Sequence, residues 1–192
     1  MDVEYFSEIV KKELPPNRWE HTLRVVAMAL SLGKKYALPL DKLQIAALFH
    51  DYCKYFEKEK LIYYIIKFAI PSSYLLYDQE LWHGPVAANF VKDKFQIDDL
   101  NIFNAIYFHT TGRPKMTLFE QVIYLADTLE PKRDFEGVEE LRELAFSAID
   151  KAMYLALDKS IYFLLTKKRK IFPLTVATRN YFLERVIPKT SS

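Results

Sequence analysis

The sequence predicts an all-α protein, a single helical bundle with short interhelical turns. Three observations predict it: only four glycines, nine prolines that fall mostly at segment ends, and apolar residues recurring at three- and four-residue spacing. Hydrophobic residues make up 51% of the 192 and aromatics 15%, which suffices for a sizeable core in one domain. The expectation is one domain over residues 1–192, with its core at about 16–181.

Asp2 to Leu14 reads as a short amphipathic helix, and Pro15-Pro16 stops it and starts a second that runs to about Tyr36, because proline is tolerated only in a first helical turn. There His21 shares a face with Val25, Met28 and Leu32, and on that ground alone it reads as a core histidine rather than a ligand. Pro39 breaks the chain and Asp41 reads as the next N-cap, with Leu43, Ala46, Ala47 and His50 on one face. His50 and Asp51 then suit either an ion pair fixing a helix end or part of a site. Lys54, one turn on, faces the same space or balances the helix C-terminus.

Glu57 to Ile70 forms a further helix closed by Pro71, and Ser72 to Trp82 a short helix or turn crowded with tyrosines. His83 is expected just before a helix opened by Pro85, where a histidine reads as a turn residue. Asp98 to His109 places Ile102, Ala105, Ile106 and His109 on one face. Thr117 to Glu120 fits a capping box and opens a helix in which Asp127 interrupts an apolar run, as a salt-bridge acceptor, a hydrogen-bonded structural aspartate or a ligand. Helices follow over Val138 to Phe146, Ser147 to Thr166 and Leu174 to Ile187, and Lys167-Lys168-Arg169-Lys170 reads as a solvated helix end. The tail from Lys189 to Ser192 is expected to be loose.

A formal charge of +2 gives no reason to expect nucleic acid or an anionic membrane as partner. One cysteine, Cys53, excludes an internal disulfide and a cysteine-rich zinc site, and the acidic start Met1-Asp2-Val3-Glu4 is no signal peptide, so a cytoplasmic setting is expected. Apolar stretches such as Leu61 to Ile66 fall short of the ~20 residues of a membrane helix. Aromatics around Tyr63, Tyr64, Tyr74 and Tyr77 permit a homodimer and equally permit internal packing.

If the helices converge, His21, His50, Asp51, His83, His109 and Asp127 supply ligands for one or two ions. Imidazole and carboxylate without thiolate suit a catalytic rather than a closed structural centre. The blocks Arg18-Trp19-Glu20-His21-Thr22-Leu23-Arg24-Val25, Phe49-His50-Asp51-Tyr52-Cys53-Lys54, Trp82-His83-Gly84-Pro85-Val86, His109-Thr110-Thr111-Gly112-Arg113-Pro114-Lys115-Met116-Thr117 and Ile123 to Arg133 are similar in order and wording to the HD-domain metal-dependent phosphohydrolases, in particular the bacterial YqeK branch. The resemblance extends over roughly Arg18 to Tyr181.

What the resemblance implies is a symmetrical diadenosine tetraphosphate hydrolase that releases two ADP, with iron the expected ion and manganese or another divalent ion as alternatives. It makes His21, His50, Asp51, His83, His109 and Asp127 metal ligands, with Asp51 a candidate bridge between two ions. A bound ion lowers the pKa of a coordinated water and polarises a phosphoryl oxygen. Lys54, Arg113 and Arg133 are then expected to contact phosphate, although the arginines suit an ordinary surface equally well. Thr110, Thr111 and Gly112 would let the backbone approach the substrate. Cys53 departs from the small residue common in the family, bringing a thiol near the proposed centre, and Glu136 stands where proline is frequent. Other readings are an HD-fold nucleotidase or alarmone hydrolase, and a non-catalytic nucleotide-sensing or assembly module.

Overall fold

Among the described residues, capping side chains and prolines set off ten α-helices and two short 3₁₀ helices, and there is no β-strand. The computed structural model describes residues 2–187, so the expectation for the Lys189 to Ser192 tail lies outside the described residues. Asp2 caps α1 (Val3–Glu13) by accepting from the Tyr5 amide, and Pro16 opens α2 (Pro16–Lys35). Asp41 is not the cap of α3 (Leu40–Phe49): Pro39 occupies that position, and Asp41 lies in the first turn, where its charge complements the helix dipole. Next comes α4 (Lys58–Lys67), which stops three residues short of Ile70. Ala69 turns left-handed there, and the Ala69 and Ile70 amides bond back to the carbonyls of Ile66 and Ile65, a Schellman ending.

The tyrosine-rich stretch forms 3₁₀ helices at Ser72–Leu76 and Gln79–Leu81. His83 is the first residue of α5 (His83–Phe95) rather than the residue before it. The sixth helix, α6 (Leu100–Phe108), starts later than expected because Asp99, not Asp98, accepts from the Asn101 and Ile102 amides. Thr117 and Glu120 complete the expected capping box of α7 (Leu118–Leu129). A non-helical Ala148, with φ −148° and ψ 70°, separates α8 (Val138–Ser147) from α9 (Ile149–Thr166), and Pro173 opens α10 (Pro173–Val186).

The centre of the fold is a layer in which α2 packs on α3 and α7, while α6 packs on α3, α5 and α7; α9 joins α7 to α10 on one side. Burial follows the helical period, with Val25, Ala29 and Leu32 of α2 and Leu43, Ala46 and Ala47 of α3 inaccessible. Of the tyrosines that permitted a dimer, Tyr74 is buried with its ring 4.6 Å from that of Phe172, and Tyr64 stacks on Phe68 at 5.4 Å; Tyr63 alone of the four is exposed. The stretch between α4 and α5 is also stitched to the α9–α10 connection by Arg169 to Asp78 (2.6 Å) and Lys170 to the Leu76 carbonyl (3.1 Å). No helix among the described residues is long and apolar enough to cross a membrane.

Cys53 has no exposed surface and belongs to the apolar core. Burial pushes its thiol well above the ordinary range, which makes it an inert structural cysteine rather than a redox-sensitive one. A disulfide-exchange reagent at pH 8 is therefore expected to leave Cys53 unmodified in the native protein and to titrate one thiol after unfolding. Prompt stoichiometric reaction of the native protein would contradict this burial.

Candidate metal centre

Four helix ends and one helix face meet at a single point. His21 lies on α2, His50 and Asp51 follow the last residue of α3, His83 begins α5, His109 follows α6, and Asp127 is in the last turn of α7. After Phe49 the chain continues as successive turns, with the Tyr52, Lys54 and Phe56 amides bonding to the Phe49, Asp51 and Cys53 carbonyls. This irregular segment aims Asp51 and Lys54 into the space the regular helix would have bypassed.

Asp51 is the common partner. Its Oδ2 lies 3.3 Å from His50 Nε2 and 3.8 Å from His21 Nε2. Its Oδ1 lies 3.0 Å from His83 Nε2 and 3.8 Å from His109 Nε2. The two oxygens of one carboxylate thus serve two different pairs of imidazoles, and the potential ligand atoms of each group lie within 4.8 Å of one another. Asp127 Oδ1 adds an oxygen 3.1 Å from His21 Nε2.

The imidazoles are oriented from behind. His50 Nδ1 is 2.7 Å from the Ala47 carbonyl and His109 Nδ1 is 2.8 Å from the Ile106 carbonyl; a carbonyl only accepts, so each Nδ1 carries the proton and donates it. His21 Nδ1 faces Glu130 Oε1 at 3.2 Å, while Arg24 and the Lys132 amide hold the other Glu130 oxygen at 2.6 and 2.9 Å. Every one of these contacts turns an Nε2 lone pair toward Asp51. His21 Nε2 and His50 Nε2 are buried with no hydrogen-bond partner, and His83 Nε2 and His109 Nε2 face each other at 3.0 Å. Buried nitrogens without donors, beside a buried carboxylate, fit a metal ion.

The electrostatics agree with that fit for Asp51, Asp127 and His83 but not for His50. Burial, the largest influence on Asp51, favours its neutral form, but the charge of His50 and the close approach of the His109 and His83 imidazoles hold its carboxyl well below the ordinary range. Asp127 is likewise shifted down against burial, by His21, His50 and Arg133. Burial alone would lower His50, yet Asp51 outweighs it and raises the imidazole above its ordinary value. His83 is lowered to about 4, chiefly by burial. Ionised oxygens and the neutral His83 imidazole are forms that bind a cation, whereas His50 must give up the proton that Asp51 favours before it can do so.

A cavity of about 390 Å³ opens over the centre. Arg18, Lys54 and Arg133 line it together with Asp51, Glu80, Asp127 and Tyr55. Arg18 Nη1 is 3.0 Å from Asp51 Oδ2, and Lys54 Nζ lies 3.7 Å from Asp51 Oδ1 and 2.9 Å from Glu80. Arg133 donates to the Asp127 carboxylate at 2.8 Å. A second cavity of about 750 Å³ shares Lys54 and Arg133 and extends past Thr110 to Phe135, Phe163 and Phe172.

The loop after His109 is used differently from expectation. Arg113 forms a bidentate pair with Glu120, both contacts 2.7 Å, because the carboxylate that closes the α7 capping box is buried beside it; Arg113 lines neither cavity. Thr111 is buried and its hydroxyl donates to the Gly112 carbonyl. Gly112 has φ +62°, and a Cβ there would lie 2.7 Å from Thr178 Cγ2, so the glycine serves close packing on α10. Thr110 alone of this set reaches a cavity wall. Conversely, sequence reasoning gave no role to Arg18, Arg24 or Glu130, although Arg18 and Arg24 stand three residues either side of His21 and share its helix face.

A family model described as "HD domain" matches residues 18–132, and the chain belongs to the HD-domain family. Within it, the chain is 39% identical over 174 residues to a Bacillus subtilis (strain 168) protein named "Bis(5'-nucleosyl)-tetraphosphatase, symmetrical", covering 91% of this chain and 94% of the relative. A protein of the same name from Halalkalibacterium halodurans is 40% identical over 176 residues, 92% and 94% of the two chains. A crystal structure from Clostridium acetobutylicum, titled as a predicted HD superfamily hydrolase involved in NAD metabolism, superposes with a TM-score of 0.91 at 34% identity, over 96% of this chain and 98% of that one.

The backing of His21 gives a direct test. Glu130→Gln keeps the side-chain volume but weakens the acceptor behind Nδ1, and is expected to lower metal affinity by about 10–100-fold in a chelator-competition titration, with the fold retained by circular dichroism. Unchanged affinity would mean that Glu130 does not orient the ligand.

Proposed function

We propose that this protein is a metal-dependent hydrolase of diadenosine tetraphosphate and related dinucleoside polyphosphates, cutting the central anhydride to give two ADP. The observation that carries the reading is the division of the Asp51 carboxylate between two imidazole pairs, under a cavity lined by three cationic side chains. The names of relatives that match over nine-tenths of the chain support the substrate class. His21, His50, Asp51, His83, His109 and Asp127 would hold the metal, with Asp51 shared between two ions; iron is the proposed metal, and manganese suits the same donor set. When bound, such ions act as Lewis acids on a phosphoryl oxygen and lower the pKa of a coordinated water.

The chain's own contribution is charge and position. Arg18, Lys54 and Arg133 converge on the volume above Asp51, where an anhydride arrives with several negative oxygens and gains more as the bond breaks. Fixed cations in a partly buried pocket stabilise that added charge. Arg133 and Lys54 already neutralise Asp127 and Glu80, so a phosphate competes for the same donors. The larger cavity has room for one nucleoside arm, and Tyr162 and Phe163, 70% and 56% exposed, offer aromatic faces to a base. A cleavage point over Asp51 with an arm leaving on each side is what central scission of a tetraphosphate requires. The Thr110 hydroxyl, buried without a partner on that wall, is a donor for the same arm.

Incubation of the metal-loaded protein with diadenosine tetraphosphate is expected to yield ADP alone, resolved by ion-exchange chromatography, and Asp51→Asn is expected to lose at least about 10³-fold in kcat. Formation of AMP with ATP, or preferential turnover of a mononucleotide by kcat/KM, would contradict the reading.

A further inference from the structure

The C-terminus of α7 carries Asp127 and ends two residues later, because Glu130 turns extended at ψ 150° and Pro131 has no amide hydrogen to continue the ladder. The last carbonyls of such a helix have no partner within it. Two arginines supply the missing donors. Arg133 Nε reaches back to the Asp127 carbonyl at 3.0 Å. Arg142, from α8, donates Nε to the Leu129 carbonyl at 3.0 Å and Nη2 to the carbonyls of Glu130 and Arg133 at 3.1 and 2.8 Å, while Nη1 meets Glu139. Its side chain is only 17% exposed.

One guanidinium therefore holds both ends of the turn from Leu129 to Arg133. The turn bears Glu130, which backs His21, and Arg133, whose side chain lines both cavities. Arg142 itself lines neither cavity and touches no group of the centre. Three of its four acceptors are backbone carbonyls, spread so that a planar fork spans them and a single ammonium does not. We infer that Arg142 is a positioning residue for the phosphate-binding edge of the site: it fixes the turn in the one conformation that presents the Arg133 guanidinium to the substrate.

This inference rests on the reading of Arg133 as a phosphate contact, and a mutant cycle separates it from a purely structural role. Arg142→Met and Arg142→Lys are made in the parent and in Arg133→Ala, and each metal-saturated protein is measured for ADP binding by calorimetry, for KM and kcat on diadenosine tetraphosphate, and for thermal unfolding. In the parent background, Arg142→Met is expected to raise the ADP Kd and the KM about tenfold, as the loss of one charge-assisted contact would. Arg142→Lys is expected to resemble Arg142→Met rather than the parent, and remains the working variant should the methionine protein not fold. In Arg133→Ala, either change should add less than about twofold, since the group being positioned is already gone. A full tenfold effect in both backgrounds, or a lowered Tm with unchanged Kd and KM, overturns the inference. A parent that binds ADP but does not split the tetraphosphate counts against the activity proposed above and leaves the binding cycle decisive; a parent that does not bind ADP overturns both.

Discussion

Asp51 is 2% exposed and faces four imidazoles. Withdrawing a carboxylate from water costs several kcal/mol unless a cation and further hydrogen bonds compensate, and Arg18, 3.0 Å from Oδ2, with Lys54, 3.7 Å from Oδ1, supplies part of that compensation. His50 and His109 spend their Nδ1 protons on backbone carbonyls. The Nε2 atoms of His21 and His50 remain buried without a partner beside Asp51, and the ion proposed above would engage them together with the carboxylate. The convergence of helices α2, α3, α5, α6 and α7 can be understood as the scaffold that keeps this arrangement in place.

Helix ends are what make such a centre possible in an all-α chain. A regular helix spends its backbone groups internally and presents side chains only along its face, whereas the turn after α3 aims His50, Asp51 and Lys54 into one volume. The termini of α5, α6 and α7 contribute from other directions. Because each terminus leaves unpaired backbone groups, the site is surrounded by capping interactions that also hold functional side chains: the Ala47 and Ile106 carbonyls on the histidines, and Arg133 and Arg142 at the end of α7. Stability and geometry are served by the same contacts.

Much of this was legible in the sequence, for identifiable reasons. Prolines and capping residues announced the helices to within a few residues; the misses came where two acids compete for a cap, as with Asp98 and Asp99, or where a proline takes the capping position, as before Asp41. Periodicity showed that His21 and His109 face inward but could not separate ligand from core histidine, since both occupy the buried stripe. That distinction depends on what stands behind Nδ1, and the Glu130 that backs His21 is 109 residues away. Arg113 misled because a basic residue beside Thr-Thr-Gly looks like an anion site, while the partner that captures it, Glu120, was already read as half of a capping box. Arg142 left no trace, because carbonyl acceptors carry no side-chain signature.

The account turns on whether inorganic cations occupy the two sides of the Asp51 carboxylate. Diffraction from crystals of protein purified without chelator, collected at the iron and manganese absorption edges, addresses that directly. The account predicts anomalous peaks about 2.0–2.2 Å from each Asp51 oxygen, one beside His21 and His50 and the other beside His83 and His109. Featureless anomalous maps there, with Asp51 hydrogen-bonded to charged imidazoles instead, would contradict it.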